Sequence, residues 1–401
     1  MARIYLDYNA SAPLLEPVKA AMIEAFDVFG NGSSVHSQGR KVHGRIETAR
    51  EQVAKMVGAR GQDVIFTSGG TEANNLALTP SLFPKDLQSQ ARLYVSAIEH
   101  PSILNGMRFE KDQITVIPVT REGVVDVEWL RNELLNSEDA PEEVNKNEPH
   151  KKQIKPILVS VMAANNETGI IQPIAEIADI VHEAGGLLHS DCVQVLGKMP
   201  LLLPMTNADL ISVSAHKIGG PQGVGALILR DASVVLREPH VAGGGQELKR
   251  RGGTENMAGI VGFGVACEVV NETQAAEQGR IKDLRDQLEV GLLDISPDAV
   301  VFGKDVQRLG NVCCFAVPGF SAETQVIQLD LMNISLSSGS ACSSGKVDHS
   351  HVLKAMAVKE TISHAALRVS LGPQSSLDDV NGFLKAWESI YTRAKKRGHA
   401  A

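Results

Sequence analysis

The sequence predicts an α/β fold: a large domain built on a mostly parallel sheet, followed by a smaller C-terminal α/β domain. Three observations carry this. Short, continuously apolar runs alternate with helix-like segments through the first two-thirds of the chain, the pattern of strands buried on both faces. The segments between them are long enough for the crossovers that parallel pairing requires. From about Val261 the texture changes, with longer helical stretches of mixed polarity set around isolated strands.

In chain order, Val64-Ile65-Phe66-Thr67 is the first strand, followed by the turn Ser68-Gly69-Gly70-Thr71 and a helix. Leu93 to Ile98 leads into Glu99-His100-Pro101, and Ile157 to Met162 runs into Asn165-Asn166-Glu167-Thr168-Gly169. A helix covers roughly Ile174 to Ala184 and stops at Gly185-Gly186, after which Leu187 to Ser190 resumes a strand. Leu210 to Ser214 and Ala226 to Leu229 complete the series. Beyond it come a helix from Cys267 to Leu293, a strand over Asn311 to Val317, a helix near Ala322 to Leu331 and a strand over Leu367 to Leu371. Ser376-Leu377-Asp378-Asp379 supplies the N-cap and acidic first turn of a final helix. The expected division is a large domain over 14–260 and a small domain made of 1–13 and 261–401. Asn136 to Pro156, rich in Glu, Asn, Lys and Pro without apolar periodicity, is expected to be a solvated, mobile surface insertion.

Composition narrows the function. The 401 residues are 43% hydrophobic and 21% charged, the balance of an ordinary soluble globular protein. Asp and Glu number 47 against 39 Lys and Arg, so the net charge of -8 argues against nucleic acid as the default partner. The N-terminus reaches Asp7 too soon for a signal peptide, and no run approaches the roughly 20 apolar residues of a membrane span. Five cysteines, an odd number without framework spacing, fit a reducing compartment and suggest a cytoplasmic protein.

Polar residues just past the strands suggest a site. Ligands in open α/β sheets bind outside the carboxyl ends of the strands, so Thr71, His100, Asn166, Asp191 with Gln194, and His216 with Lys217 should converge. Lys217 follows an apolar strand and precedes a glycine-rich turn; a partly desolvated lysine there is suited to a Schiff base. Gly223-Val224-Gly225 enters a strand rather than a helix, so it is no dinucleotide fingerprint and hydride transfer is not expected. Asp191 could keep a pyridine nitrogen protonated, and a lysine Schiff base with an aspartate partner is the protein half of pyridoxal phosphate chemistry. Ser68-Gly69-Gly70-Thr71 offers helix N-terminal N–H groups for a phosphate. His100 could stack on the ring. Taken alone, each of these residues could equally be a turn former, a helix cap or a satisfied polar group.

The ordered set Tyr5-Leu6-Asp7-Tyr8-Asn9-Ala10, Ser68-Gly69-Gly70-Thr71-Glu72, Glu99-His100, Asn165-Asn166-Glu167-Thr168-Gly169, Ser214-Ala215-His216-Lys217, Arg251-Gly252-Gly253-Thr254 and Ser337-Ser338-Gly339-Ser340-Ala341-Cys342 resembles the cysteine desulfurases. These are fold-type-I pyridoxal phosphate enzymes of the class V aminotransferase group, and the likeness covers nearly the whole chain. It implies pyridoxal 5'-phosphate as cofactor, with no metal. It also implies Lys217 as the covalent anchor, Asp191 as the ring-nitrogen partner, Gln194 and Asn166 near the ring hydroxyl, and His100 stacked on the ring and active in proton transfer. Gly70, Thr71, Ser214 and His216 would hold the phosphate, with Thr254 contributed by the second subunit of a homodimer. Arg368 would clamp the substrate carboxylate, with Asn166 also reaching the substrate.

Cys342 is the distinguishing residue. Cys313 and Cys314 lie in an apolar strand, Cys267 among apolar helix residues and Cys192 directly after Asp191, so packing is their expected role. Cys342 instead sits in a loop of small residues, expected to be mobile and accessible as a travelling nucleophile must be. The loop resembles the desulfurase subgroup with a long mobile Ser-Gly-Ser-Ala-Cys segment. Gly32 where many relatives carry Pro, and Cys192-Val193 between Asp191 and Gln194, depart from the family without changing a residue of assigned role. The implied reaction converts L-cysteine to L-alanine and leaves a persulfide on Cys342, whose sulfur passes to an iron–sulfur scaffold or into tRNA thiolation. Selenocysteine lysis, transamination of small amino acids, and a lapsed homologue serving as a binding scaffold are the alternatives.

Overall fold

The computed structural model describes residues 3–136, 156–339 and 350–396. After a two-residue strand, β1 (Ile4–Tyr5), come helices α1 (Glu16–Phe26) and α2 (Ser37–Val57). Val42, Ile46, Ala49 and Val53 recur at helical spacing along α2 and bury one face of it. The helix stops at Gly58, whose φ of 68° needs the left-handed region that glycine enters freely.

The large sheet follows: β2 (Val64–Thr67), α3 (Gly70–Ala77), β3 (Arg92–Ser96), α4 (Pro101–Leu104), β4 (Ile114–Ile117), α5 (Val127–Asn136), β5 (Ile157–Ser160), α6 (Ile174–Glu183), β6 (Leu187–Asp191), α7 (Leu203–Thr206), β7 (Leu210–Ser214) and β8 (Gly225–Leu229). The strand order is β2-β8-β7-β6-β5-β3-β4. The sheet is mostly parallel, as expected, with β8 antiparallel to both of its neighbours. The 215–224 connection between β7 and β8 holds no crossover helix, so the chain simply turns back. β4 was not foreseen; it is an edge strand with exposed Val116 and lacks the buried apolar run of its neighbours.

The rest of the chain starts with α8 (Met257–Ile295), whose first turns pack in the core of the large sheet and whose last turns pack in the C-terminal body, and continues through β9 (Val300–Val301), β10 (Val312–Ala316), α9 (Ala322–Leu331), β11 (Ile334–Ser335), β12 (Ser337–Ser338), α10 (His351–Ala355), α11 (Glu360–Ser363), β13 (Ala366–Ser370) and α12 (Leu377–Lys396). β12-β13-β10-β9 form an antiparallel sheet, and β1 pairs in parallel with β11. Trp387 is fully buried here, stacked on Tyr391 at 5.3 Å and edge-on to Phe315 at 5.5 Å. Its Nε1 donates to Gln325 Oε1 at 2.9 Å, so the indole satisfies its one polar atom inside the core. Leu6 belongs to this same apolar cluster, which ties the N-terminal strand to the C-terminal body.

α8 starts ten residues before the expected Cys267, and the division drawn at 260/261 falls in its first turn. Its early glycines hid it, because glycine is a poor helix former. They are needed for packing: a Cβ on Gly264 would lie 2.7 Å from Ala49 Cα of α2. A buried ion pair secures the loop just before α8. Arg50 donates to both Glu247 oxygens (2.7 and 2.9 Å), and the Phe66 N–H donates to Glu247 Oε2 at 3.1 Å. Glu247, Leu248 and Lys249 all have positive φ (46°, 55° and 66°), a strain of order 1–3 kcal/mol each that this clamp holds in place. Of the Asn136 to Pro156 insertion, residues 137–155 lie outside the described residues, and so do residues 340–349 with Cys342.

Candidate active site

Every strand of the large sheet except β8 runs in one direction, so the carboxyl ends of β2, β3, β5, β6 and β7 share an edge. Thr71, His100, Asn166, Asp191, Gln194, His216 and Lys217 all follow those ends. Hydrogen bonds show how closely several of them are drawn together.

Asp191 ends β6 and is buried. Its Oδ1 accepts from the Val193 N–H at 2.9 Å and its Oδ2 from Asn74 Nδ2 at 2.8 Å. The same Asn74 amide donates to Ser102 Oγ at 2.9 Å, and Ser102 Oγ lies 2.8 Å from His100 Nδ1. His100 Nδ1 also accepts from the Ser102 N–H at 3.1 Å, which assigns the ring proton of the neutral imidazole to Nε2. Burial lowers the His100 pKa, and Lys217 and His351 lower it further, against an opposing pull from Asp191. His100 is therefore neutral at pH 7 and able to take up a proton.

Phosphate-type donors gather beside this network. α3 starts at Gly70 with no side chain capping its N-terminus, so its first N–H groups face outward. A Cβ on Gly70 would approach Val193 Cγ2 to 2.8 Å and Ser214 Cβ to 3.5 Å, so only glycine leaves this cradle open. Burial pushes His216 down to about 4, helped by Lys217 and Lys198, and its Nδ1 faces Ser11 Oγ at 3.3 Å. Arg251 grips Glu72 of α3 through Nε (2.8 Å) and Nη2 (3.2 Å), and Thr254 beyond it is exposed.

Lys217 follows β7, and its Nζ donates to the Asn9 carbonyl at 2.5 Å and the Ala10 carbonyl at 2.9 Å. Gln194 Nε2 donates to the same Asn9 carbonyl at 3.1 Å, while Gln194 Oε1 accepts from Lys198 Nζ at 2.6 Å. A cleft of about 420 Å³, lined by Tyr8, Lys198, Lys217, Asn311, Leu371 and Gln374 among others, adjoins this lysine pair. Arg368, on β13, is only 2% exposed. Its Nη2 donates to Asp7 Oδ1 (2.7 Å) and its Nη1 to the Asn166 carbonyl (3.0 Å), while Nε has no partner.

The four described cysteines are buried, and burial raises every thiol pKa, Cys192 to about 12. They are packing residues without thiolate character at neutral pH. Cys342 is not among the described residues, but both flanks of its segment are. Ser337 and Ser338 pair with Arg368 and Leu367, the Gly339 N–H donates to the Ala366 carbonyl at 2.8 Å, and Ser350 caps α10 while its Oγ donates to Glu167 Oε2.

Asn9, Asn74, Ser102 and Lys198 were given no role from the sequence. Asn9 lies inside a motif quoted there and Asn74 two residues past another, but their partners sit up to hundreds of residues away and only folding reveals them. The residues present fit pyridoxal 5'-phosphate: a buried carboxylate for a pyridine nitrogen, an uncapped helix N-terminus over a glycine cradle for a phosphate, and a lysine amine beside both. Among the described residues no cluster of His, Cys, Asp and Glu could hold a metal, and no helix is long and apolar enough to cross a membrane.

The chain is similar to known proteins over nearly its whole length. A cysteine desulfurase IscS of Dictyoglomus turgidum is 37% identical over 396 residues, covering 98% of this chain and 95% of its own. A NifS-like protein from Rickettsia africae has the same fold, with a TM-score of 0.84 at 35% identity, covering 97% of this chain and 99% of its own. A structure described as SspA in complex with cysteine matches with a TM-score of 0.72 at 29% identity, over 93% of this chain and 99% of its own. The profile of the family described as Aminotransferase class-V matches residues 4–383. The chain belongs to the class-V aminotransferase family.

Proposed function

We propose that the chain is a pyridoxal-phosphate-dependent cysteine desulfurase, converting L-cysteine to L-alanine and retaining the sulfur as a persulfide on Cys342. The observation that carries the reading is the buried Asp191–Asn74–Ser102–His100 chain beside Lys217 and the Gly70 cradle. The names of the relatives, and the cysteine bound to one structural neighbour, support the same substrate. When bound, the cofactor supplies an electron-withdrawing ring that stabilises negative charge at the substrate Cα.

The chain's own residues do the rest. Lys217 anchors the cofactor and exchanges a proton at its Nζ. Asp191, held by the Val193 N–H and the Asn74 amide, would face the ring nitrogen. Neutral His100 would cover the ring and accept or return a proton at Nε2. The α3 N-terminus, Gly70, Thr71 and Ser214 would receive the phosphate, with Thr254 reaching in from the partner of a homodimer, and Gln194 and Asn166 would approach the ring hydroxyl. Arg368, with an unpartnered Nε, binds the substrate carboxylate; its fork is already oriented by Asp7 and the Asn166 carbonyl. The Cys342 thiolate attacks the substrate sulfur. A sulfur–sulfur bond forms, the carbon–sulfur bond breaks, and its electron pair stays on the three-carbon fragment, which takes up a proton to give alanine. The persulfide sulfur then passes to an acceptor protein in iron–sulfur assembly or to tRNA thiolation, in a reducing cytoplasm suited to the four free buried thiols.

Purified enzyme assayed with L-cysteine should release alanine. Lys217→Ala and Cys342→Ser should each release almost none, the latter while still binding cofactor and cysteine. Alanine at the parent rate from Cys342→Ser would remove the desulfurase reading and leave transamination.

A further inference from the structure

Asn9 is 1% exposed and sits in the short segment that joins β1 to α1, between the two bodies of the molecule. All of its polar groups are engaged. Its N–H donates to Ser370 Oγ at 2.9 Å, and its Nδ2 donates to the Asn166 carbonyl at 3.1 Å. Its Oδ1 accepts from Lys198 Nζ at 2.7 Å and from Asn311 Nδ2 at 3.0 Å. Its carbonyl accepts from Lys217 Nζ and from Gln194 Nε2. Ser370 and Asn311 belong to the C-terminal body, whereas Lys198, Gln194, Asn166 and Lys217 belong to the large one. One residue therefore touches both bodies and the amine together.

Lys198 completes the arrangement. It spans Asn9 Oδ1 and Gln194 Oε1, the two amide oxygens that would otherwise face the seam without a donor from this side. Burial pushes its pKa well below the ordinary lysine value, with Lys217 and Arg368 adding to the shift. Its Nζ meets two acceptors, one from each amide. Burying an unpaired amide oxygen costs about 1–3 kcal/mol, so Lys198 holds Gln194 Oε1 in place and shares the holding of Asn9 Oδ1 with Asn311.

We propose that Asn9 is a positioning residue for the Lys217 amine: its carbonyl fixes Nζ, and its carboxamide, held by Lys198 and Asn311, keeps that carbonyl in register with the C-terminal body. The inference rests on Lys217 as the cofactor anchor. It adds that the seating of the C-terminal body, which carries Arg368, is transmitted to the anchor through one side chain. Substrate-carboxylate binding and the chemistry at Lys217 are thereby coupled.

The test uses the full chain with and without cofactor. In the cofactor-free protein, the pH dependence of reductive methylation at Lys217, read by peptide mass spectrometry, reports the amine directly. Two carbonyl acceptors favour the protonated amine, and a hydrogen bond to a charged group contributes about 1.5–3 kcal/mol, so loosening one should lower the midpoint by about one pH unit. Asn9→Ala leaves the titratable neighbours His100, His216 and Lys198 in place. It should lower the midpoint by that amount, shift the pH at which the visible band of the loaded enzyme changes, and reduce kcat about tenfold with little change in KM. Asn311→Leu removes one donor from Asn9 Oδ1 without changing any charge near Lys217; it should lower the midpoint in the same direction by less, which keeps the test decisive where Asn9→Ala folds poorly. Lys217→Ala separates the two levels. If it keeps covalent cofactor, the anchor assignment fails; if it loses cofactor while both other variants retain the parent midpoint and band, Asn9 is only structural and the proposal is overturned.

Discussion

Replacing Asp191 by Asn changes one oxygen to a nitrogen and removes the only charge of the side chain. In the folded chain each carboxylate oxygen accepts one N–H, from Val193 and from Asn74. An amide can accept on one side only, so it would keep the Val193 contact and oppose its own NH2 to that of Asn74. Asn74 Oδ1, however, has no partner in the structure, and turning that amide over offers an acceptor to the new NH2. The fold should therefore lose about 1 kcal/mol or less, the net worth of one ordinary hydrogen bond. Catalysis loses the ionised partner of the ring nitrogen. A hydrogen bond involving a charged group contributes about 1.5–3 kcal/mol, which converts to roughly 10- to 150-fold in rate, and the lost electron withdrawal adds to it. Asp191→Asn should thus fold with a urea midpoint close to the parent and bind cofactor, while alanine release from cysteine falls by at least tenfold. Comparable loss of stability and activity, or unimpaired turnover, would refute the role given to Asp191.

Glu167 is buried, and burial raises its pKa from an ordinary 4.5 to about 7. The folded state thus keeps a proton that the unfolded chain has already released, so this group's contribution is whole below pH 4.5 and is lost as pH rises to 7, by roughly 3 kcal/mol. Glu167→Gln mimics the protonated form, so urea unfolding at pH 5 and pH 8 should show the variant gaining on the parent at the higher pH; an equal difference at both would contradict the shift. Arg50→Met leaves Glu247 charged and buried without its bidentate partner, and should destabilise by about 3–5 kcal/mol in denaturant titrations, with weaker cofactor retention because the 246–254 loop is released. Sedimentation at assay concentration should find a dimer, with Thr254→Ala weakening cofactor binding; a fully active monomer would remove the shared phosphate site.

Much of the fold was legible because burial leaves a direct mark on sequence. Strands β5, β6, β7 and β10 are covered on both faces, so their apolar runs stand out. β4, half exposed at the sheet edge, leaves no such run, and the first turns of α8 are masked by glycines that exist for contact with α2. The antiparallel course of β8 depends on a short connection rather than on its composition. At the site, residues that carry distinctive chemistry at strand ends were readable, as with Lys217, Asp191 and His100. The amides that align them were not, because Asn74 meets Asp191 across 117 positions and Asn9 meets Gln194 across 185. A side-chain amide has no spacing rule that announces a partner so far away.

The central claim is that sulfur leaves cysteine by way of Cys342. Mixing the cofactor-loaded enzyme with one equivalent of L-cysteine in the absence of acceptor and reductant, then digesting it and weighing the Cys342 peptide, tests that claim directly. The account predicts that this peptide gains the mass of one sulfur atom in step with alanine, one for one, while the peptides of Cys192, Cys267, Cys313 and Cys314 stay unchanged. Alanine formed with no added sulfur on Cys342, or with the sulfur on another cysteine, would contradict it.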